Sequence, residues 1–105
     1  MKVIMRHEAR IRFREILAEG ERRFGSRVAS QLYEAYMHNM ALLAENPYMG
    51  PLEPLLDRRS RSYRYLCIHK HYKVIYHVRN EEEIIVSDVW DTRREPRRLV
   101  EGLID

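Results

Sequence analysis

Apolar positions change their period along this chain. Val3-Ile4-Met5 is a brief apolar run that suits a short strand. From Ala9 the spacing turns helical, with Ala9, Phe13, Ile16, Leu17, Gly20 and Phe24 on one stripe. A second stripe of Ala29, Leu32, Tyr33, Tyr36, Met40 and Leu43 ends before Asn46-Pro47, where the proline disfavours helical backbone in the residue before it. Between the stripes, Gly25 suits the position just past a helix end, and Ser26 suits the capping position of the next helix. Helices joined this closely are expected to fold back as an antiparallel αα-hairpin.

A turn cluster follows, Asn46-Pro47-Tyr48-Met49-Gly50-Pro51, and the period then becomes that of β-structure. Tyr63-Arg64-Tyr65-Leu66-Cys67-Ile68 and Tyr72-Lys73-Val74-Ile75-Tyr76-His77-Val78 read as one hairpin turning near Lys70-His71. A second hairpin turns at Asn80 to Glu83 and returns through Ile84 to Trp90. Pro96 can open a final helix bearing Leu99, Val100 and Leu103. The expected class is α+β in a single domain of residues 1–105. It has a short N-terminal strand, an αα-hairpin, then antiparallel β-hairpins in a small sheet covered on one face by helices, and a short C-terminal helix. Both strand parities of residues 63–78 hold apolar side chains, so the pattern leaves the covered face undecided. The other face is expected to stay open.

Charge changes the picture more than composition does. At 105 residues with 45% hydrophobic content, the chain is expected to bury roughly two thirds of its unfolded surface. The net charge is only +3, yet residues 58–79 hold seven Lys or Arg, three His, four Tyr and no acid. Cations beside stackable rings on a rigid hairpin suit a polyanion, either nucleic acid or an acidic protein segment. The plainer alternative is that these cations guard sheet edges and that the tyrosines are ordinary β-formers. Solubility alone favours mixed signs, which this stretch lacks. The lone Cys67 forms no internal disulfide and fits a reducing cytosol, and a cytoplasmic location is expected. No apolar run approaches the roughly 20 residues that span a bilayer, and Met1 to Met5 runs into charge without a secretory core, so no membrane association is expected.

His69, His71 and His77 lack a nearby Cys or carboxylate in sequence to complete a metal set, so no metal and no cofactor is expected. They are better placed as proton carriers. There is no phosphate-binding Gly-rich loop, nucleophile elbow or paired-carboxylate signature. Arg10, Arg12 and Arg14 sit among acids and read as a solvated helix face.

An ordered series of motifs adds to this. Glu45-Asn46-Pro47-Tyr48-Met49-Gly50 is followed by Tyr63-Arg64-Tyr65-Leu66, Tyr72-Lys73-Val74-Ile75-Tyr76 and Asp88-Val89-Trp90-Asp91-Thr92-Arg93-Arg94-Glu95-Pro96. In this order, from Val3 to about Leu99, the chain resembles the RelE/ParE superfamily of small toxins from type II toxin–antitoxin pairs. The resemblance implies a growth-arresting toxin held in check by a small acidic antitoxin, in a toxin–antitoxin hetero-oligomer.

Two activities share that scaffold, and a fold does not choose between them. RelE-like members cut messenger RNA on the ribosome; ParE-like members poison DNA gyrase. RNA cleavage requires the phosphorane charge to be stabilised and protons to be moved at the 2′-hydroxyl and the leaving oxygen. The resemblance maps the charge-stabilising positions onto Arg64, Lys73 and Arg93. Leu66 stands where a second strand cation is expected and Leu99 where a terminal Tyr would fall, so His71 becomes the substitute proton carrier, with His69 and Asp91 behind it. The gyrase reading asks instead for an exposed basic end: Arg93, Arg94, Arg97 and Arg98 around Pro96, with Trp90 as anchor. Either partner is expected to meet Arg61, Arg64, Lys70, Lys73 and Tyr76 on the basic hairpin; an acidic, amphipathic antitoxin segment could lie over the αα-hairpin or across this basic sheet face. The ParE-like reading is preferred; a non-toxic nucleic-acid-binding module is the third possibility. All these readings expect the cationic tips to converge in one groove.

Overall fold

A computed structural model describes residues 1–56, 61–69 and 71–94. It contains strand β1 (Lys2–Met5), helices α1 (His7–Phe24) and α2 (Ser26–Glu45), a 3-10 turn (Pro54–Leu56), and strands β2 (Arg64–Ile68), β3 (Tyr72–Val78) and β4 (Glu83–Asp91). The expected C-terminal helix lies outside the described residues.

The hydrophobic stripes account for the hairpin. Ala9, Phe13 and Ile16 of α1 and Leu32, Tyr36, Met40 and Leu43 of α2 are buried, whereas Phe24 and Tyr33, at the outer margins of their stripes, are largely exposed. Gly25 takes φ +95°, a conformation open to glycine, and its N–H closes α1 on the Glu21 carbonyl. Ser26 does not cap α2. It lies inside the first turn, and Gly25 occupies the capping position without a side-chain bond.

The sheet order is β1-β4-β3-β2. β2–β3 and β3–β4 are the two expected antiparallel hairpins; β1 pairs in parallel with β4, so the sheet is mixed. The helices cover the face bearing Leu66, Ile68, Val74, Tyr76, Ile84, Val86 and Val89. The opposite face is not open as expected. Tyr63, Ile75, Trp90 and Leu56 form a second small core there, with Tyr65 against it.

A β-bulge explains how one strand feeds both cores. Tyr76 pairs with Val86 but Ile75 pairs with Asp88, which leaves Ser87 as an extra residue. Simple alternation from Ile84 and Val86 would put Asp88 and Trp90 beneath the helices. The bulge reverses the parity, so Val89 joins the helix-side core and Trp90 the far one. Arg6 fastens the irregularity: its backbone N–H bonds the Val86 carbonyl at 2.9 Å, and its Nε bonds the Ser87 carbonyl at 3.2 Å. Past Val86, β4 has no β1 partner. There Arg12 of α1 lies 4.0 Å from the Asp88 carboxylate and 5.9 Å from the centre of the Trp90 ring. Arg12 is therefore a tie between α1 and β4 rather than part of a solvated face.

Candidate functional site: dispersed cations and a basic notch

The expected site residues do not share one groove. Arg64 pairs across the strands with Tyr76, which places it on the helix-covered face. Lys73 pairs with Trp90 and so belongs to the far face. Arg93 follows β4 and reaches towards Tyr72, at the opposite end of β3 from Arg64. Tyr72 and Tyr76 are four residues apart, roughly 13 Å along a strand. Convergence of the three cations is thus overturned by strand parity and strand length together.

Two of the three are also neutralised. Lys73 Nζ lies 3.0 Å from Oε2 of Glu53, a carboxylate only 1% exposed, and 4.2 Å from the centre of the Tyr65 ring. The other Glu53 oxygen accepts the Leu55 N–H at 3.2 Å. This buried pair pins the Pro-rich segment before β2 onto the far sheet face. Arg93 donates through Nε and Nη2 to the two oxygens of Asp91, at 3.0 and 2.9 Å. The hydrogen bond from Arg93 is the main reason the Asp91 carboxyl is held below its usual range.

Two expected partner-binding residues are core. Tyr76 is 0% exposed; its hydroxyl accepts the Gly50 N–H at 3.0 Å, and burial pushes its phenol pKa up. Trp90 is 3% exposed. Both lie on β-ladders with a core layer on each side, so neither can act as a surface anchor. His71 is exposed beside the β2–β3 turn, where its carbonyl accepts the Thr92 N–H at 2.7 Å. That puts it at the opposite end of β2 from Arg64. Arg94 is exposed, whereas Lys70, Arg97 and Arg98 lie outside the described residues.

What the fold does bring together is a different basic group. β3 runs on past Tyr76, the residue opposite the start of β2, so residues 77–79 project beyond their neighbour. A notch of about 740 Å³ opens there. Arg61, Arg64 and Arg79 line it with His77, Ser62 and Tyr48, over a floor of Val78 and Ile85. Arg64 is held firmly: Nη1 donates to the Gly50 carbonyl at 2.8 Å, and its guanidinium lies 5.2 Å from the centre of the Tyr48 ring. Gly50 is required for this packing, because a Cβ there would meet the Tyr65 carbonyl oxygen at 2.3 Å. Nη1 of Arg61 lies 3.4 Å from Nε2 of His77. Among the described residues, no Asp or Glu lines the notch.

Of this group, the sequence pattern had marked Arg61 and Arg64, had named His77 only as a possible proton carrier, and missed Arg79, Ser62 and Tyr48 as members of a site. The available signal was an offset. The first hairpin turns near 70, so its second strand outruns the first. Among the described residues no three His, Cys, Asp or Glu side chains gather to hold a metal ion, and no helix is long and apolar enough to cross a membrane.

The profile of the ParE toxin of the type II toxin–antitoxin system parDE matches residues 3–96. The chain belongs to the ParE toxin family. Among solved structures, the chromosomal ParDE toxin–antitoxin system from P. aeruginosa superposes with a TM-score of 0.69 at 14% identity, covering 87% of this chain and 95% of that one. At that identity the likeness speaks for the fold. Curated proteins yield no match. ParE membership fits the four-stranded sheet and αα-hairpin, and it implies an antitoxin partner.

Proposed function

We propose that this ParE-family chain arrests growth by acting on DNA gyrase in the cytoplasm, and that a small acidic antitoxin encoded beside it neutralises the effect. The dispersal of Arg64, Lys73 and Arg93 supports this reading over RNA cleavage. A ribonuclease must bring charge stabilisation and proton transfer to a single phosphate. Here one cation is bound to buried Glu53, another is bound to Asp91, and exposed His71 stands at the far end of β2 from Arg64. The gyrase reading also loses the shared groove it expected, but it asks less of single residues. It requires no proton transfer at one phosphate, and exposed Arg93 and Arg94 remain at the basic end.

For the antitoxin, α2 of the αα-hairpin offers Tyr33 and Met37, one helical turn apart and each 49% exposed. Apolar surface of this kind suits the apolar face of an amphipathic partner segment.

The test is induction of the protein in cells, with DNA breaks and messenger RNA ends mapped in parallel. Gyrase-dependent breaks with intact transcripts are the expected outcome. Codon-spaced RNA cuts without breaks would overturn the gyrase assignment. Normal growth on induction, with no acidic reading frame adjoining the gene, would overturn the toxin reading as a whole.

A further inference from the structure

The basic notch at the end of β3 is separate from every position used in the gyrase reading except Arg61 and Arg64, and it has the composition of a ligand site. We propose that it binds a nucleoside phosphate: the phosphate between the guanidinium groups of Arg61, Arg64 and Arg79, the base against Tyr48.

The first support is charge left without a counter-ion. Arg6, Arg12, Arg22, Arg23, Lys73 and Arg93 each have a carboxylate within salt-bridge distance. Among the described residues, no carboxylate lies within that distance of Arg61, Arg64 or Arg79. Three guanidinium groups around one concavity repel each other, and an anion relieves that repulsion. Guanidinium matches phosphate oxygens with paired, parallel N–H donors. The Ser62 hydroxyl adds a further donor at the wall.

The second support is preorganisation. Arg64 is fixed by the Gly50 carbonyl and the Tyr48 ring, so little side-chain freedom is lost when an anion arrives. Tyr48 is 64% exposed, which leaves ring surface for a planar group to stack on.

The third support is size. About 740 Å³ lies inside the range of roughly 300–1,000 Å³ typical of small-molecule sites. An acidic peptide would satisfy the charge but would make no particular use of an aromatic plane beside a single cluster of cations. A nucleoside phosphate uses both. The same chemistry comes from a free nucleotide or from a strand of nucleic acid.

The experiment is an NMR titration of the full chain with thymidine 5′-monophosphate, a short single-stranded oligothymidylate and an oligoglutamate of matched charge. Shifts are expected at Tyr48, Arg61, Ser62 and Arg79 with the thymidine ligands. If the oligonucleotide binds much more tightly than the mononucleotide, the site serves a strand; equal affinity makes it a nucleotide site. Tyr48→Ala is expected to weaken oligothymidylate binding roughly tenfold, from lost stacking. Arg79→Ala is expected to lower the slope of log K against log salt by about 0.7, one single-strand phosphate contact. Both residues are exposed, and unchanged melting temperatures would show that the fold is intact. Oligoglutamate binding as tightly as oligothymidylate, shifts confined to Arg93 and Arg94, or variants that bind like the wild type would each overturn the proposal.

Discussion

The Lys73–Glu53 pair yields a quantitative asymmetry. Lys73→Met removes the ammonium and leaves the Glu53 carboxylate 1% exposed, with the Leu55 N–H as its one remaining partner among the described residues. Stranding a buried charge in this way costs about 3–5 kcal/mol. The opposite change is gentler. Glu53→Gln keeps the volume and an acceptor for Leu55, and the ammonium it releases belongs to a side chain already 21% exposed, so it can turn towards water. That change is expected to cost about 1–2 kcal/mol. The double variant Glu53→Gln/Lys73→Met removes both charges together and should cost less than Lys73→Met alone, giving a coupling of about 2–3 kcal/mol. Chemical unfolding in urea resolves this readily. With a slope of about 1–3 kcal/mol per molar, a 4 kcal/mol loss moves the midpoint by more than 1 M. Single variants of equal, small and additive cost would refute the reasoning, because they would mean that the pair does not hold the segment before β2 to the sheet.

Gly50 and Asp88 give two further outcomes. Gly50→Ala should destabilise the chain by about 3 kcal/mol, because the methyl group meets the Tyr65 backbone oxygen and the Tyr76 hydroxyl at 2.3 and 2.8 Å; an unchanged melting temperature would contradict the packing described. Asp88 gives a pH signature. Burial, only partly offset by Arg12 and the Val89 N–H, raises its carboxyl pKa above 3.8, so the folded chain holds this proton more tightly than the unfolded one. Its contribution to stability is therefore complete below about pH 3.8 and declines as pH rises through the raised value. Asp88→Asn should remove that decline from a pH series of unfolding midpoints, and an unaltered profile would show that another group is responsible.

Local pattern carried much of this fold. Both helices, both β-hairpins and their turns follow from period and punctuation, since those signals act over a few residues. Long-range facts were not legible. Parallel pairing of β1 with β4 joins residues about 80 apart, and nothing in Val3-Ile4-Met5 selects that partner. The bulge at Ser87 falls in a strand apolar on both parities, so alternation alone gave Trp90 no side. Glu53, an acid among prolines, reads as surface until Lys73 is seen above it. The site suffered accordingly. Residues chosen for their chemistry, such as Tyr76 and Trp90, were consumed by packing. Arg79 gained its place from the unequal lengths of two strands.

The second core has a consequence for recognition. Among the described residues, side chains pack against both surfaces of the sheet, and the small core around Ile75 and Trp90 interrupts the far face as a flat β-platform. Recognition by a partner is thereby expected at the margins: strand tips, the outside of the helical pair or the basic corner beyond Tyr76. Escape variants and engineered inhibitors should accordingly map to that perimeter, in small separate clusters.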